Sequence, residues 1–144
     1  MAIDDGNNNV SIGNFAGDAL STGQYNIALG YAALTAEDTG ERSVAIGYFS
    51  LAAQNFDGNA YNVAVGYHAG KLVTTGDQNT IVGSLAGDSL LTGTNNIIIG
   101  YNAEASTTGA ADEITLGNAN NDTIRAAVQT ISSLSDERDK TNIQ

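Results

Sequence analysis

Asn26-Ile27-Ala28-Leu29-Gly30 returns 17 residues later as Ser43-Val44-Ala45-Ile46-Gly47, and the same phrase runs down the whole chain. Its closing glycines are Gly13, Gly30, Gly47, Gly66, Gly83, Gly100 and Gly117, in steps of 17, 17, 19, 17, 17 and 17 residues. A fixed period this short describes one structural unit stacked on copies of itself. Alternation within the phrase and its β-branched residues describe a strand. The expected fold is therefore all-β, a stacked-repeat β-solenoid or β-prism of about seven 17-residue coils. At strand spacing, ~4.8 Å per coil, the stack makes a rod roughly 34 Å long.

Numbering the phrase one to five, with glycine at five, separates its faces. Positions two and four are large: Val10 and Ile12, Ile27 and Leu29, Val44 and Ile46, Val63 and Val65. Position three is mostly small, as in Ser11, Ala28, Ala45 and Ala64, with Ile81 and Ile98 as departures. Residues two apart share a strand face. The consistently large face is expected to point into the coil, and the small face outward, covered by another chain. Position one is Asn9, Asn26, Asn62, Asn79 and Asn96. Two readings stand for it: an asparagine ladder bonding coil to coil, or the turn preference of a residue that tolerates left-handed backbone. A second glycine precedes most phrases, as in Gly23, Gly40, Gly76 and Gly93, and reads as a corner turn with φ > 0. Position six is often Tyr (Tyr31, Tyr48, Tyr67, Tyr101), read as a stacking ladder with wet hydroxyls ahead of a ligand surface. Position eight is small, Ala in most coils.

Composition narrows the function. The chain has 144 residues, no Trp, no Cys, no Pro and a net charge of −11. Between Gly6 and Asn121 its only cations are Arg42 and Lys71. Nucleic-acid binding needs a basic surface and is not expected. No apolar run approaches the roughly 20 residues of a membrane-spanning helix, so insertion is not expected either. The first residues carry no signal-peptide pattern, and the sequence reads as a piece of a longer chain. No cofactor and no metal are expected. His68 shares its register with Phe15, Phe49 and Leu85, which reads as packing rather than a threefold metal site. Asp18, Asp38, Asp57, Asp77 and Asp88 sit near corners without a calcium-loop pattern. No Ser-His-Asp set or carboxylate pair points to an enzyme. The single 19-residue step adds length within Ala52–Tyr61, and Phe56 and Tyr61 make this loop the candidate binding feature.

The phrase Asn-x-Ala-x-Gly-Tyr-x-Ala-Leu with a downstream Thr-Gly, clearest at Asn26–Leu34 with Thr39-Gly40, resembles the stacked repeats of phage tail-fibre and appendage proteins. It is also similar to the head repeats of trimeric autotransporter adhesins, which are usually shorter. Both resemblances imply a parallel homotrimer. The segment Ile131-Ser-Ser-Leu-Ser-Asp-Glu-Arg-Asp-Lys-Thr-Asn-Ile143 resembles the junction that opens the endosialidase-type intramolecular chaperone of tail fibres and tailspikes. That resemblance implies trimerisation through a chaperone that cuts its own chain before Asp136, with Ser135 as nucleophile and Lys140 as base. Asp139 departs from the larger residue usual there, and only the start of the chaperone is present, so no cleavage is expected of this chain. The implied organisation is a repeat shaft at 1–121, a trimeric neck at 122–134 and the opening of the chaperone at 135–144. The implied role is a structural shaft in a virion, supporting attachment to a host receptor or glycan. A bacterial trimeric surface adhesin and a depolymerase tailspike are the alternatives.

Overall fold

The computed structural model of the chain describes residues 8–121. The expected neck at 122–134 and the junction with Ser135, Asp136 and Lys140 lie outside the described residues. Seven three-residue strands follow one another: β1 (Val10–Ile12), β2 (Ile27–Leu29), β3 (Val44–Ile46), β4 (Val63–Val65), β5 (Thr80–Val82), β6 (Ile97–Ile99) and β7 (Ile114–Leu116). They form one parallel sheet in chain order. Each residue pairs with its counterpart one coil on, Ala28 with Ala45 and Ala45 with Ala64. The chain is a β-solenoid, and the phrase is its strand.

The faces of the strand are the reverse of the expectation. Position three points into the coil: Ala28, Ala45, Ala64, Ile81 and Ile98 are fully buried. Positions two and four point out, exposed or half-buried on all seven strands. The physical reason is the width of the coil. Each turn closes on itself within about one repeat, and its interior also receives position eight, which is Ala16, Ala33, Ala69, Ala86 and Ala103, all buried. A cavity this narrow takes small side chains from the strand, so the larger face is left outside.

Inside, volumes are traded between registers. Leu34 and Leu51 fill position nine in the coils whose strands carry Ala28 and Ala45. Position nine is instead glycine where the strand of the following coil carries isoleucine: Gly70 precedes the Ile81 strand and Gly87 the Ile98 strand. A β-carbon on Gly70 would lie 2.9 Å from Ile81 Cδ1, and one on Gly87 3.2 Å from Ile98 Cδ1. The core thus stays close-packed with different residues in successive coils, as dense interiors require.

The corners are turned by left-handed residues at fixed registers. Position seven is left-handed at Phe15, Ala32, Phe49, His68, Leu85 and Asn102. So is the residue before each phrase: Tyr25, Arg42, Tyr61, Gln78, Asn95 and Asp112. None of these residues is glycine, and each carries a strain of ~1 kcal/mol or more. The backbone ladder offsets it, because pairing continues around the corner: Phe49 N donates to Tyr31 O at 2.9 Å, and Leu51 N to Ala69 O at 3.1 Å.

The corner glycines have a different cause from the expected one. Gly23, Gly40, Gly76 and Gly93 are not left-handed. They are needed because coils touch there: a β-carbon on Gly76 would overlap Gly93 O. At the phrase-closing glycines both demands coincide. Gly47 has φ +135°, and its missing side chain clears Gly66 O.

Candidate interaction surface and buried polar knot

Two features could carry a role beyond spacing: the outward strand face and the long coil. On the strand face, thirteen of the fourteen residues at positions two and four are Val, Ile or Leu, and the other is Thr80. In a chain with 16 acidic residues, no charge falls on this stripe. Ile12, Ile114 and Leu116 are more than half exposed at its ends. Contiguous apolar surface of this kind marks an interaction face.

The expected tyrosine ladder is present. Tyr31 and Tyr48 stack at 5.2 Å and 15°, Tyr48 and Tyr67 at 5.3 Å and 9°. Phe15 meets Tyr31 edge-on at 5.7 Å, and His68 stacks on Tyr67 at 4.0 Å. His68 therefore packs within the aromatic column. Burial and the neighbouring Lys71 hold its pKa below the usual value of 6.5. Ser84 takes position six in the next coil, so Tyr101 stands apart from the column.

The asparagines form a ladder and, at the same time, brace the corners. Asn79 N donates to Asn62 Oδ1 at 2.9 Å and Asn96 N to Asn79 Oδ1 at 3.1 Å. Each amide nitrogen also donates to the corner carbonyl fourteen residues on: Asn26 to Gly40 O at 2.8 Å, Asn62 to Gly76 O at 2.7 Å, Asn79 to Gly93 O at 2.8 Å. Asn26, Asn62, Asn79 and Asn96 are buried, so the ladder reading holds over a simple turn preference.

The ladder is interrupted at Ser43, and the long coil repairs it. Gln54 Nε2 donates to Ser43 Oγ and to Glu37 Oε2, both at 2.8 Å, while Gln54 Oε1 accepts from Asn62 Nδ2 at 2.9 Å. Glu37 also accepts from Gly40 N at 2.8 Å and Phe56 N at 3.2 Å. Glu37 and Gln54 are fully buried, in the register where three other coils place Leu20, Val73 and Leu90 and the coil of Gly100 an exposed Thr107. These two residues were missed from the sequence. Aligning that register would have shown two polar residues in an apolar column, next to the one irregular step.

The candidate loop residues separate. Phe56 is half-buried and tied through its backbone to Glu37. Tyr61 is exposed in the left-handed register of Tyr25 and Arg42. Arg42 lies over the Tyr25 ring at 5.0 Å and pairs with Glu41 and Asn59. The corner acids are used singly: Asp57 accepts from Thr39 Oγ1 at 2.7 Å and Asp77 from Gln78 Nε2 at 3.0 Å. Among the described residues, no three His, Cys, Asp or Glu side chains gather as a metal site, and no helix is long and apolar enough to cross a membrane. An open cleft of about 370 Å³ lies at the end of the last coil, lined by Asn102, Glu104, Thr115 and Asn118. Burial raises the pKa of Glu104, and Ser89 Oγ donates to it at 2.7 Å. Compared with models of protein families, with curated proteins and with solved structures, the chain finds no match.

Proposed function

We propose that this chain is the shaft segment of a viral tail fibre: a homotrimeric spacer in the virion that holds a receptor-binding region toward a host surface. In this reading it is not an enzyme. A C-terminal chaperone of the kind that Ser135–Ile143 resembles drives its trimerisation. The observation that carries the proposal is the uncharged stripe of Val, Ile and Leu along the outer face of seven strands. Left in water, that stripe forgoes ~25 cal/mol for each Å² it would bury against a partner. Other copies of the same chain fit it best. Every coil presents the same face at the same height, so a parallel neighbour meets like with like along the whole length. Three copies around one axis bring all three stripes together, and the repeat phrase resembles proteins built that way.

The test is the solution mass by light scattering. The chain weighs 14.7 kDa, and a species three times that mass is expected. Val65→Asp places a charge on the outward face and is expected to give a single chain that keeps its β-sheet circular dichroism. Ala64→Asp, one residue away but inside the coil, is expected to unfold the chain, because an unpaired buried charge is strongly penalised. A wild-type chain that is folded and monomeric would overturn the proposal.

A further inference from the structure

We propose that Tyr31, Tyr48 and Tyr67 form an oxidatively cross-linkable stack, in which neighbouring coils become joined by a carbon–carbon bond between tyrosine rings. Three observations support it. First, the rings are nearly parallel and lie 5.2 and 5.3 Å apart, with the phenols 40–49% exposed. Second, the neighbouring register braces the column: Phe15 meets Tyr31 edge-on, Phe49 packs 4.7 Å from Tyr48 and His68 4.0 Å from Tyr67, which keeps the three phenols in one row. Third, the chain has no Trp and no Cys. An electron removed from it therefore comes from a phenol rather than from the usual competitors.

The reaction balances with a peroxide as the named oxidant. Each of two neighbouring phenols gives up one electron and its hydroxyl proton. The O–O bond of the peroxide accepts both electrons and breaks, and the protons go to its oxygens or to water. The two phenoxyl radicals pair their odd electrons as a bond between the ring carbons next to oxygen. Each of those carbons then passes its hydrogen to its own oxygen, which restores both phenols. Like atoms of adjacent rings are about one strand spacing apart, ~5 Å, and side-chain rotation closes that gap without moving the coils. Tyr101 is excluded by Ser84: it stands two spacings from Tyr67, ~10 Å.

The probe is persulfate with a photoexcited ruthenium complex, which is small enough to act on the assembled protein. The products are separated under denaturing conditions, digested with trypsin and weighed. Trypsin cuts after Arg42 and Lys71, so a Tyr31–Tyr48 bond holds together two peptides that otherwise part, lighter by a pair of hydrogen atoms. Fragmentation assigns the Tyr48–Tyr67 bond inside the second peptide. Both bonds are expected within one chain and independent of protein concentration. Tyr48→Phe keeps a ring in the stack and is expected to abolish both. Ser84→Tyr is expected to extend the stack and bring Tyr101 into the cross-linked set. The proposal is overturned by bonds only between chains, by a Tyr31–Tyr67 bond in Tyr48→Phe, or by no bond at all in folded wild-type protein.

Discussion

Asn79 shows how much one side chain holds in this fold. Its amide oxygen accepts from Asn96 N at 3.1 Å and Asn96 Nδ2 at 3.0 Å, and its nitrogen donates to Gly93 O and Asn62 Oδ1. All of this is buried, so removal strands groups that water cannot reach, at a cost of ~1–3 kcal/mol each. Asn79→Ala is expected to lower unfolding stability by ~3 kcal/mol or more, read from the denaturant midpoint. His68 makes a second prediction. Its pKa is depressed in the folded chain, chiefly by burial and then by Lys71. The unfolded chain therefore takes up the proton first as pH falls, and stability drops once pH goes below about 6.5. His68→Phe keeps a ring in a register that already holds Phe15 and Phe49. It is expected to remove that part of the pH dependence, measured as the unfolding midpoint between neutral pH and pH about 5.

At the scale of the element, the long coil is an exception with its own support. Its added length, the missing asparagine at Ser43 and the polar pair Glu37 and Gln54 form one arrangement, because Gln54 reaches the gap that Ser43 leaves. Glu37 then fastens the loop at Phe56 N. Gln54→Leu alone leaves a buried carboxylate and Asn62 Nδ2 with fewer partners, and Glu37→Leu alone leaves Gln54 with fewer. The double variant places leucine in a register that elsewhere holds Leu20 and Leu90. It is expected to cost less than the sum of the two singles, the sign of direct coupling. Urea unfolding of all three variants measures this. Limited proteolysis is expected to cut within 55–60 in both Glu37→Leu variants, since the loop has lost its anchor.

For the whole molecule, the repeat, the strands and the stacking order were legible because period and alternation are written directly in side-chain type. The direction of the strand was not. Large residues usually mark the inside of a sheet, but here the inside is too narrow for them, and Ala28, Ala45 and Ala64 take it. Left-handed corners at Gln78 or Leu85 were illegible for a related reason: the ladder holds them in place, so the sequence need not spell glycine. The aromatic column was readable from a single register. The knot at Glu37 and Gln54 required knowing which register is core, and only the closed coil shows that.

The joint between coils has a consequence for how such a rod changes length. Apart from the long coil and its Ser43, each coil offers the next the same carbonyls, the same asparagine acceptor and the same glycine clearance, at positions 17 residues apart. Adding one whole unit replaces one joint by two of the same kind, and removing one replaces two joints by one of that kind. Adding a residue or two does not preserve the joint, and the one place where it has happened carries a substituted asparagine and two buried polar side chains to accommodate it. Length in this molecule is therefore quantised. A lineage can tune its reach in whole-coil steps by duplication or deletion of the repeat, while intermediate lengths require several coordinated substitutions.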